Sequence, residues 1–372
     1  MSKINTRSPF YITLTAPKLS SVNFDIWIYT GTKITDRTSG NLFRLFSTAI
    51  SNTVTVEIAE LVSDYILSTF NGDYETENVW VDYRSQSVIS GTVQAYTPFA
   101  TLTGFNGYGF FDQGANPQNL QSLLQSNTTI LKPDDSPVVL AVDSSITTSV
   151  AFYANNEPLY TQLISSSLVA KEQIKYVSNS VNGVDTFEER VLSLGGTFEN
   201  NFCIQEFLDE FTIFPVDTIY VNGTNGVDII KIENIQECKY QPYKLTFINK
   251  FGALQSIWFF KRTNETLTTK KEDFKRNIVV NGSYDTSRHQ QKVLTKNGNE
   301  KLTLNTGYYP ESYNDVFKQM QLSEDNWIEI NNKTLPINVS GSSLAFKTQL
   351  NDKLINYTIE IEFAYDTINN IR

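Results

Sequence analysis

Three acidic side chains in the segment Phe202–Phe211 are the residues of this chain best placed for acid–base chemistry. Glu206, Asp209 and Glu210 lie there among aromatic residues. A glycosidase needs only two carboxyl groups at a suitable separation, one acting as the acid and the other as the base or nucleophile. If the segment is helical, Glu206 and Glu210 share one face, because residues four apart are neighbours on a helix. The pattern is more typical of an amphipathic segment with solvated acids, which is the interpretation we favour.

Two further groups could do chemistry, but their surroundings do not support it. His289 is the single histidine, and it lies in a polar, loop-like segment of a chain that has no G-x-S-x-G nucleophile motif. Gly104, Gly107 and Gly109 have the order G-x-x-G-x-G, which is not the spacing of a dinucleotide-binding loop. We interpret the histidine as a loop residue and the glycines as part of a flexible loop with aromatic side chains.

Metal and cofactor binding is not expected. Cys203 and Cys238 are the only cysteines, and with one histidine they form neither a zinc motif nor a C-x-x-C redox pair. Asp134 and Asp135 lack the surrounding D-x-[DN]-x-[DN]-G pattern of a calcium loop, and we interpret them as a turn. The sequence therefore predicts a protein with no cofactor, no metal ion and no enzymatic activity.

Composition favours a β-rich protein of two or three domains. The chain has 372 residues, more than one ordinary domain, and its aromatic share of 13% is typical of strands. A net charge of −10 argues against binding to nucleic acid, which needs a basic face. No signal-peptide pattern and no long apolar run is present, so we expect no membrane span and a protein made in a reducing cytoplasm.

The alternation of apolar and polar residues predicts a mainly β fold with a few helices, of the α+β class, built from β-sandwich modules. We place an N-terminal sandwich-like domain with one helix at 1–128, a central β domain at 129–262 and a C-terminal β domain with a helix at 263–372. Apolar residues at helical spacing predict helices over Glu57–Phe70 and Ser312–Leu322.

Three chain reversals are predicted from turn residues. Asn225-Gly226 and Asn297-Gly298 each separate two strand patterns, and Asn-Gly is the strongest short signal for a tight hairpin. Strands are also expected on both sides of Asn249–Gly252.

One aromatic cluster differs from the rest. Phe105, Tyr108, Phe110 and Phe111 lie in the glycine- and asparagine-rich stretch Thr103–Asp112. Contiguous apolar side chains on a surface are costly unless a partner covers them. We therefore predict that these four residues contact a partner subunit, and that deleting Thr103–Asp112 leaves a folded protein that assembles poorly.

Three segments carry a resemblance to virion structural proteins of tailed bacteriophages, in particular tail, baseplate or neck and ring components. They are Cys238–Phe260, Leu304–Met320 and Phe346–Phe363, and they lie mainly in the C-terminal third. The resemblance implies a tail-tube-like sheet with one packed helix. It also implies a symmetric homo-oligomer in which strands of adjacent subunits continue one sheet, with other virion proteins as partners. Assembly would occur in the host cytoplasm and the protein would reside in the virion.

Two other functions remain open from the sequence. A carbohydrate-binding adhesin or receptor-binding protein would show exposed aromatic residues beside polar loops and would bind a glycan. A hydrolase with two carboxylates would show a cleft that holds an acid of raised pKa.

Overall fold

The computed structural model describes residues 2–118, 120–134, 136–179, 216–340, 345 and 353–368. These residues form a mainly β protein with several sheets, consistent with β-sandwich modules. The chain divides into two compact units. Unit 1 comprises Met1–Gln236, Thr246–Ile257 and Asp315–Glu324, and unit 2 comprises Glu237–Leu245, Trp258–Asn314 and Asp325–Arg372. Every helix in the described part of the chain is too short or too polar to cross a membrane.

Unit 1 contains strands from the N-terminal two thirds of the chain. In chain order they are β1 (Lys3–Asn5), β2 (Tyr11–Thr15), β3 (Leu19–Tyr29), β4 (Asn41–Thr48), β5 (Thr53–Glu57), β6 (Val79–Ile89), β7 (Thr92–Val93), β8 (Ala100–Phe105), β9 (Thr129–Pro133), β10 (Val139–Asp143), β11 (Thr147–Ala154), β12 (Glu157–Leu163), β13 (Ile174–Ser178), β14 (Thr218–Gly223) and β15 (Gly226–Ile235). Short 3-10 turns lie at Thr35–Ser39, Phe111–Gln113 and Ala170–Glu172.

The first core lies on one face of the sheet β1-β8-β6-β3-β4, in which β7 also pairs with β6. Strand β3 shows why: its even-numbered residues Val22, Phe24, Ile26 and Ile28 are apolar and fully buried. Successive side chains of a strand point to opposite faces, so these four residues lie together on one apolar face of β3. The antiparallel pair β2–β5 contributes Ile12 and Val54 to the same core.

The predicted helix over Glu57–Phe70 is mostly wrong, because helix α1 spans only Ala59–Ser63. Ala59 and Val62 are buried in the first core, so the spacing of apolar residues correctly indicated that these side chains are buried. The chain then leaves the helix through a tighter turn, in which the Ile66 amide donates to the Ser63 carbonyl over 3.1 Å. Ser, Thr and Asp side chains compete with helical hydrogen bonds, and this segment holds four of them between Ser63 and Thr69.

The second core of unit 1 lies between the sheet β12-β11-β14-β15-β9 and the antiparallel pair β10–β13. Phe152, Ile219 and Leu140 are among its fully buried side chains. The hairpin predicted near Asn225-Gly226 is confirmed, but its turn lies one residue earlier: β14 and β15 pair from Gly223 opposite Gly226 outward, so Thr224 and Asn225 form the loop.

The reversal predicted at Asn249–Gly252 is also confirmed, between β16 (Tyr243–Ile248) and β17 (Leu254–Phe259). Each of these strands is divided between the two units. The predicted C-terminal helix is present as α2 (Asn314–Leu322), preceded by a 3-10 turn at Glu311–Tyr313. Residues Asp315–Glu324 belong to unit 1, although the strands on both sides of them in sequence belong to unit 2.

Unit 2 contains the sheet β18-β19-β24-β22-β21 and the pair β20–β23. The strands are β18 (Asn264–Lys275), β19 (Gln291–Asn305), β20 (Tyr309–Pro310), β21 (Asn326–Ile330), β22 (Lys333–Val339), β23 (Leu354–Ile355) and β24 (Thr358–Phe363). The turn predicted at Asn297-Gly298 is wrong, because β19 passes through both residues and Gly298 pairs with Thr269. The connection between β18 and β19 lies instead at residues 276–290.

Candidate assembly surface

The four aromatic residues singled out from the sequence do not share one environment. Phe105 ends β8 and is only 3% exposed, whereas Phe111 is fully exposed. Phe105 packs in a small core whose other members are Leu124, Ala141, Ile174 and Ala253. The surface therefore begins after Phe105, and we call residues 106–118 the aromatic loop.

The segment that follows β1 holds the first half of the aromatic loop. Strands β1 and β8 run parallel, with Asn5 opposite Phe105, so the chain segments beyond them start side by side. The Arg7 amide donates to the Gly107 carbonyl over 3.0 Å. The Gly109 amide donates to the Ser8 hydroxyl over 2.8 Å. Main-chain bonds of this kind fix the path of the loop without using its side chains.

The turn at Asn249–Gly252 approaches the loop from another side. The Tyr108 amide donates to the Lys250 carbonyl over 2.9 Å. Gly107 allows this approach, because a Cβ atom there would lie 2.7 Å from the same carbonyl oxygen. A side chain at position 107 would force the two segments apart.

The returning half of the loop is attached to β1 through side-chain amides. Asn116 Nδ2 donates to the carbonyls of Asn5 and Ser8, in both cases over 2.9 Å. Gln118 accepts from the Lys3 amide over 2.9 Å and donates to the Lys3 carbonyl over 2.8 Å. Both ends of the loop are thus bonded to the same N-terminal segment, and these bonds restrict the flexibility that the glycines suggested.

Two cations cover aromatic rings at the base of the loop. The Arg7 guanidinium carbon lies 4.9 Å from the Tyr108 ring centroid, and Lys318 Nζ lies 3.8 Å from the Phe110 ring centroid. Tyr108 and Phe110 meet edge to face, with centroids 5.7 Å apart. Cations over ring faces are attracted by the ring quadrupole. Arg7 and Lys318 are far from the loop in sequence, and no local pattern pointed to them.

The hydroxyl group of Tyr108 is enclosed under this loop. It is buried and, among the described residues, has no hydrogen-bond partner. Burial raises the pKa of Tyr108 to about 12, an effect that the nearby positive charge of Arg7 partly opposes. A buried hydroxyl without a partner costs free energy, so Tyr108 serves this site through its ring and not through its polar end.

The tip of the loop presents a bare phenyl ring to solvent. Phe111 begins the 3-10 turn Phe111–Gln113, and the Gln113 side chain closes that turn by accepting from the Phe110 amide over 3.1 Å. Phe110, directly before it, is half-buried under Lys318. An aromatic ring on a fixed backbone loses little conformational entropy when a partner covers it. The geometry suits binding to another surface.

The other residues with chemical potential do not assemble into a site. His289 is exposed in the 276–290 connection, where Arg276 Nε donates to its carbonyl over 2.9 Å. Glu206, Asp209 and Glu210 lie outside the described residues, as does Asp135. The Asp134 carbonyl accepts from Lys132 Nζ over 3.0 Å. Within the described residues no group of three or more His, Cys, Asp or Glu side chains could hold a metal ion.

Buried carboxylates, which the sequence analysis missed, lie on the face of the first sheet opposite its core. Asp82 is fully buried, receives a hydrogen bond from the Tyr29 hydroxyl over 2.9 Å and forms an ion pair with Arg37. Asp25 accepts from Arg84 Nη2 over 2.8 Å. The sequence could have indicated these residues, because both acids lie at the polar positions of strands in which apolar and polar residues alternate. Each is neutralised by arginine, which is the arrangement of structural ion pairs.

Aromatic rings cover these arginines. The Arg84 guanidinium carbon lies 4.1 Å from the Tyr96 ring centroid, and that of Arg37 lies 3.8 Å from the Phe99 ring centroid. The rings shield one side of each guanidinium group from water, while the Arg37 side chain stays 17% exposed and that of Arg84 31% exposed. The charged side chains of this face are therefore paired within the sheet, while the aromatic loop leaves the ring of Phe111 exposed.

Comparisons with known proteins identify no family for this chain. No protein-family model matches the chain, and no curated protein matches it. Among solved structures, the crystal structure of calcium binding domain CBD12 of CALX1.1 is 10% identical, over 60% of this chain and 94% of that chain, with a TM-score of 0.17. CBD12 from CALX1.2 is 8% identical, over 60% and 93%, with a TM-score of 0.14. TM-scores of this size carry no argument about fold or function.

Proposed function

We propose that this chain is a non-enzymatic structural component of a tailed-phage virion that oligomerises within a tail, neck or baseplate assembly. The phage assignment is supported by the resemblance of the three C-terminal segments. It includes a tail-tube-like role for the strands of unit 2, although α2, the helix expected to pack on them, groups with unit 1. Its partners are further copies of the chain and other virion proteins.

The observation that carries this proposal is the fully exposed Phe111 at the tip of an anchored loop. The loop is bonded to the N-terminal segment and to the Asn249–Gly252 turn, and Lys318 covers the ring of Phe110, next to Phe111. A chain that holds an exposed aromatic ring so firmly would gain by burying it, since about 25 cal/mol is recovered per Å² of apolar surface removed from water.

The test is the solution mass of the wild type and of two alanine variants, measured by size-exclusion chromatography with light scattering and followed by negative-stain microscopy. Phe111→Ala removes the exposed ring of the aromatic loop. Phe46→Ala is the matched control, because Phe46 is also an exposed phenylalanine of unit 1, at 66% exposure, on β4. We expect a symmetric oligomer for the wild type and for Phe46→Ala, and a smaller species for Phe111→Ala.

Two results would count against the proposal. Wild-type mass for Phe111→Ala would remove the loop from the interface, and a wild-type monomer at every concentration would remove homo-oligomerisation. The assignment to a phage virion is tested separately, by co-expressing the chain with the products of neighbouring genes in the same genome. A tail, neck or baseplate sub-complex in the microscope supports the assignment, and failure of any such complex to form opposes it.

Carbohydrate binding is the second candidate, favoured by the polar residues beside the exposed ring. Asp112 and Gln113 directly follow Phe111 and are themselves exposed. An aromatic platform flanked by hydrogen-bonding side chains is suited to a sugar. A glycan array with the wild type and Phe111→Ala tests this function: binding that disappears in the variant supports it, and an array without signal rejects it.

A further inference from the structure

Strand β18 and the first half of β19 form an exposed two-stranded arm in unit 2. All twelve residues of β18 are exposed. The strand is the outermost one of its sheet, and its only strand partner among the described residues is β19. Strand β24 pairs with β19 only over Lys301–Asn305, and the chain beyond β24 bonds to the next part of β19, where the Thr367 amide donates to the Gly298 carbonyl over 2.8 Å. The stretch of β19 from Gln291 to Lys296 is therefore paired on the β18 side alone. We call β18 with residues 291–296 the arm.

An arm of this kind is not stable on its own account. A lone two-stranded ribbon is marginal in water, because neither face is covered. The arm also exposes apolar side chains, among them Leu267, Phe274 and Leu294. Its stability would increase if a third strand paired with it.

The free edge of β18 is ready for such pairing. The ladder between β18 and β19 shifts register once, where Glu272 pairs with Thr295 and Asp273 pairs with Val293. The extra residue, Leu294, therefore lies in β19, and β18 itself stays regular. A regular edge strand offers an unbroken row of amide donors and carbonyl acceptors to another chain.

The charges of β18 suggest which chain would supply the additional strand. The strand has as many lysines as acidic residues, namely Lys270, Lys271, Lys275, Glu265, Glu272 and Asp273. A strand with balanced charges does not favour a polyanion or a polycation, but it can match a copy of itself. Opposite charges directly across a ladder stabilise the pairing, and like charges destabilise it.

We propose that two copies of this chain pair through the outer edges of β18, antiparallel, about a two-fold axis at Lys271. A two-fold axis perpendicular to a sheet keeps each side chain on its own face. Residues that oppose each other must therefore be an even number of positions apart in sequence. With the axis at Lys271, Lys270 of each copy faces Glu272 of the other.

One further contact of this register is favourable, and the two like charges at its axis are each partly compensated. Thr268 of one copy faces Phe274 of the other, a β-branched and aromatic pair of the kind that stabilises sheets. The two Lys271 side chains meet at the axis, and each already has an ion pair within its own strand, from Nζ to Asp273 Oδ2 over 2.7 Å. The two opposed lysine–glutamate pairs lie next to the axis, in the middle of the ladder, where the strands do not fray.

The first experiment is a charge exchange read out by light scattering over a range of concentrations. Lys270→Glu and Glu272→Lys each place like charges opposite one another twice, so each should weaken self-association and move the midpoint of the monomer–dimer transition to an about tenfold higher concentration. The double variant Lys270→Glu with Glu272→Lys restores both pairs and should recover wild-type mass. Lys292→Glu is the control, since it makes the same charge change on β19, away from the free edge.

The second experiment tests the register. Residues directly opposed in an antiparallel ladder have Cα atoms about 4.5–5.5 Å apart, within reach of a disulfide. In a chain with Cys203→Ser and Cys238→Ser, the variant Lys271→Cys should cross-link to itself on mild oxidation. Lys275→Cys should not, because two such residues would lie about 27 Å apart along the strands.

Three results would overturn the pairing: wild-type association in both single variants, failure of the double variant to recover it, or cross-linking of Lys275→Cys at the rate of Lys271→Cys. The arm and the aromatic loop are separate sites with separate variants. Loss of association in Phe111→Ala together with normal association in Lys270→Glu would therefore reject this inference and leave the proposed function standing.

Discussion

The guanidinium carbon of Arg7 lies 4.9 Å from the ring centroid of Tyr108, so a cation from the N-terminal segment covers the base of the aromatic loop. The same side chain donates from Nη2 to the Leu322 carbonyl, at the C-terminal end of α2, over 2.9 Å. Carbonyls at a helix C-terminus lack intrahelical partners and carry partial negative charge. Arg7 therefore connects the loop to the helix that supplies Lys318.

Replacing Arg7 by alanine should lower the free energy of unfolding by about 1–2 kcal/mol, because a ring contact and a charged hydrogen bond are both lost. Urea denaturation measures this. Glu324→Ala is the control, since it removes only the exposed partner of an ion pair at 3.1 Å, and should change stability by less than about 0.5 kcal/mol. Equal effects of the two substitutions would show that Arg7 contributes only a surface charge.

Replacing Tyr108 by phenylalanine should leave stability unchanged or raise it by about 1 kcal/mol, because the buried hydroxyl has no hydrogen-bond partner among the described residues. The opposite sign is expected for Tyr309→Phe. Tyr309 is fully buried and its hydroxyl donates to the Trp258 carbonyl over 2.7 Å. Thermal or urea unfolding of the two variants side by side gives the comparison, and a loss of stability in Tyr108→Phe would mean that its hydroxyl is bonded.

Stability should fall at alkaline pH because buried tyrosines resist ionisation in the folded state. Burial raises the pKa of Tyr29 and of Tyr108 to about 12 in each case. An unfolded tyrosine ionises near pH 10. Below that pH both states are protonated and the contribution is fully present. Between about pH 10 and 12 only the unfolded state loses its proton, so stability decreases.

The urea midpoint followed from pH 8 to 12 checks this expectation, with tyrosinate absorbance as a parallel readout of ionisation. The Tyr108→Phe variant should lose part of the dependence and keep the part that belongs to the other tyrosines. A midpoint that stays constant through pH 12 would contradict the assignment of these residues as buried and protonated.

Replacing Arg37 by methionine should destabilise the protein by about 3–5 kcal/mol, because Asp82 would keep a buried charge without its cation. Asp82 is fully buried, while the Arg37 side chain is 17% exposed. Arg44→Met is the matched control: its side chain is 76% exposed and its Nε lies 3.5 Å from Asp25, so a change below about 1 kcal/mol is expected.

Adding Asp82→Asn to Arg37→Met should recover much of the loss, because the buried charge is then removed as well. Denaturation of the single and double variants gives the coupling between the two residues. If the two single losses simply added, Arg37 would act mainly through its contact with Phe99 and not through Asp82.

Local patterns predicted the elements whose partners are near in sequence. The alternation of Val22 to Ile28 describes β3 well, and the hairpin at Asn225 forms because both of its strands are adjacent in the chain. The same Asn-Gly signal failed at Asn297-Gly298. There the ladder with β18 runs through Gly298, and pairing along the whole β18–β19 ladder overrides the preference of one dipeptide for a turn.

Only part of the candidate site could be predicted from the sequence, because the other part depends on contacts between residues that are distant in the chain. The cluster of aromatic residues located the loop, but nothing local showed that Phe105 turns into the core while Phe111 turns out. The deletion of Thr103–Asp112 would consequently remove half of β8 and is not a clean test of assembly. The groups that hold the loop, Ser8, Lys250 and Lys318, become its neighbours only through tertiary structure.

Unit 1 is built from three separate stretches of chain. It can therefore be completed during synthesis only after the last of these stretches has been made. Its last stretch, Asp315–Glu324, contains Lys318 and most of α2. On a ribosome the N-terminal strands emerge hundreds of residues earlier, and they must wait for that helix before the aromatic loop gains its cationic cover. Nascent chains that end before this stretch lack Lys318, so the ring of Phe110 has no lysine from α2 over it until the last stretch of unit 1 has been made.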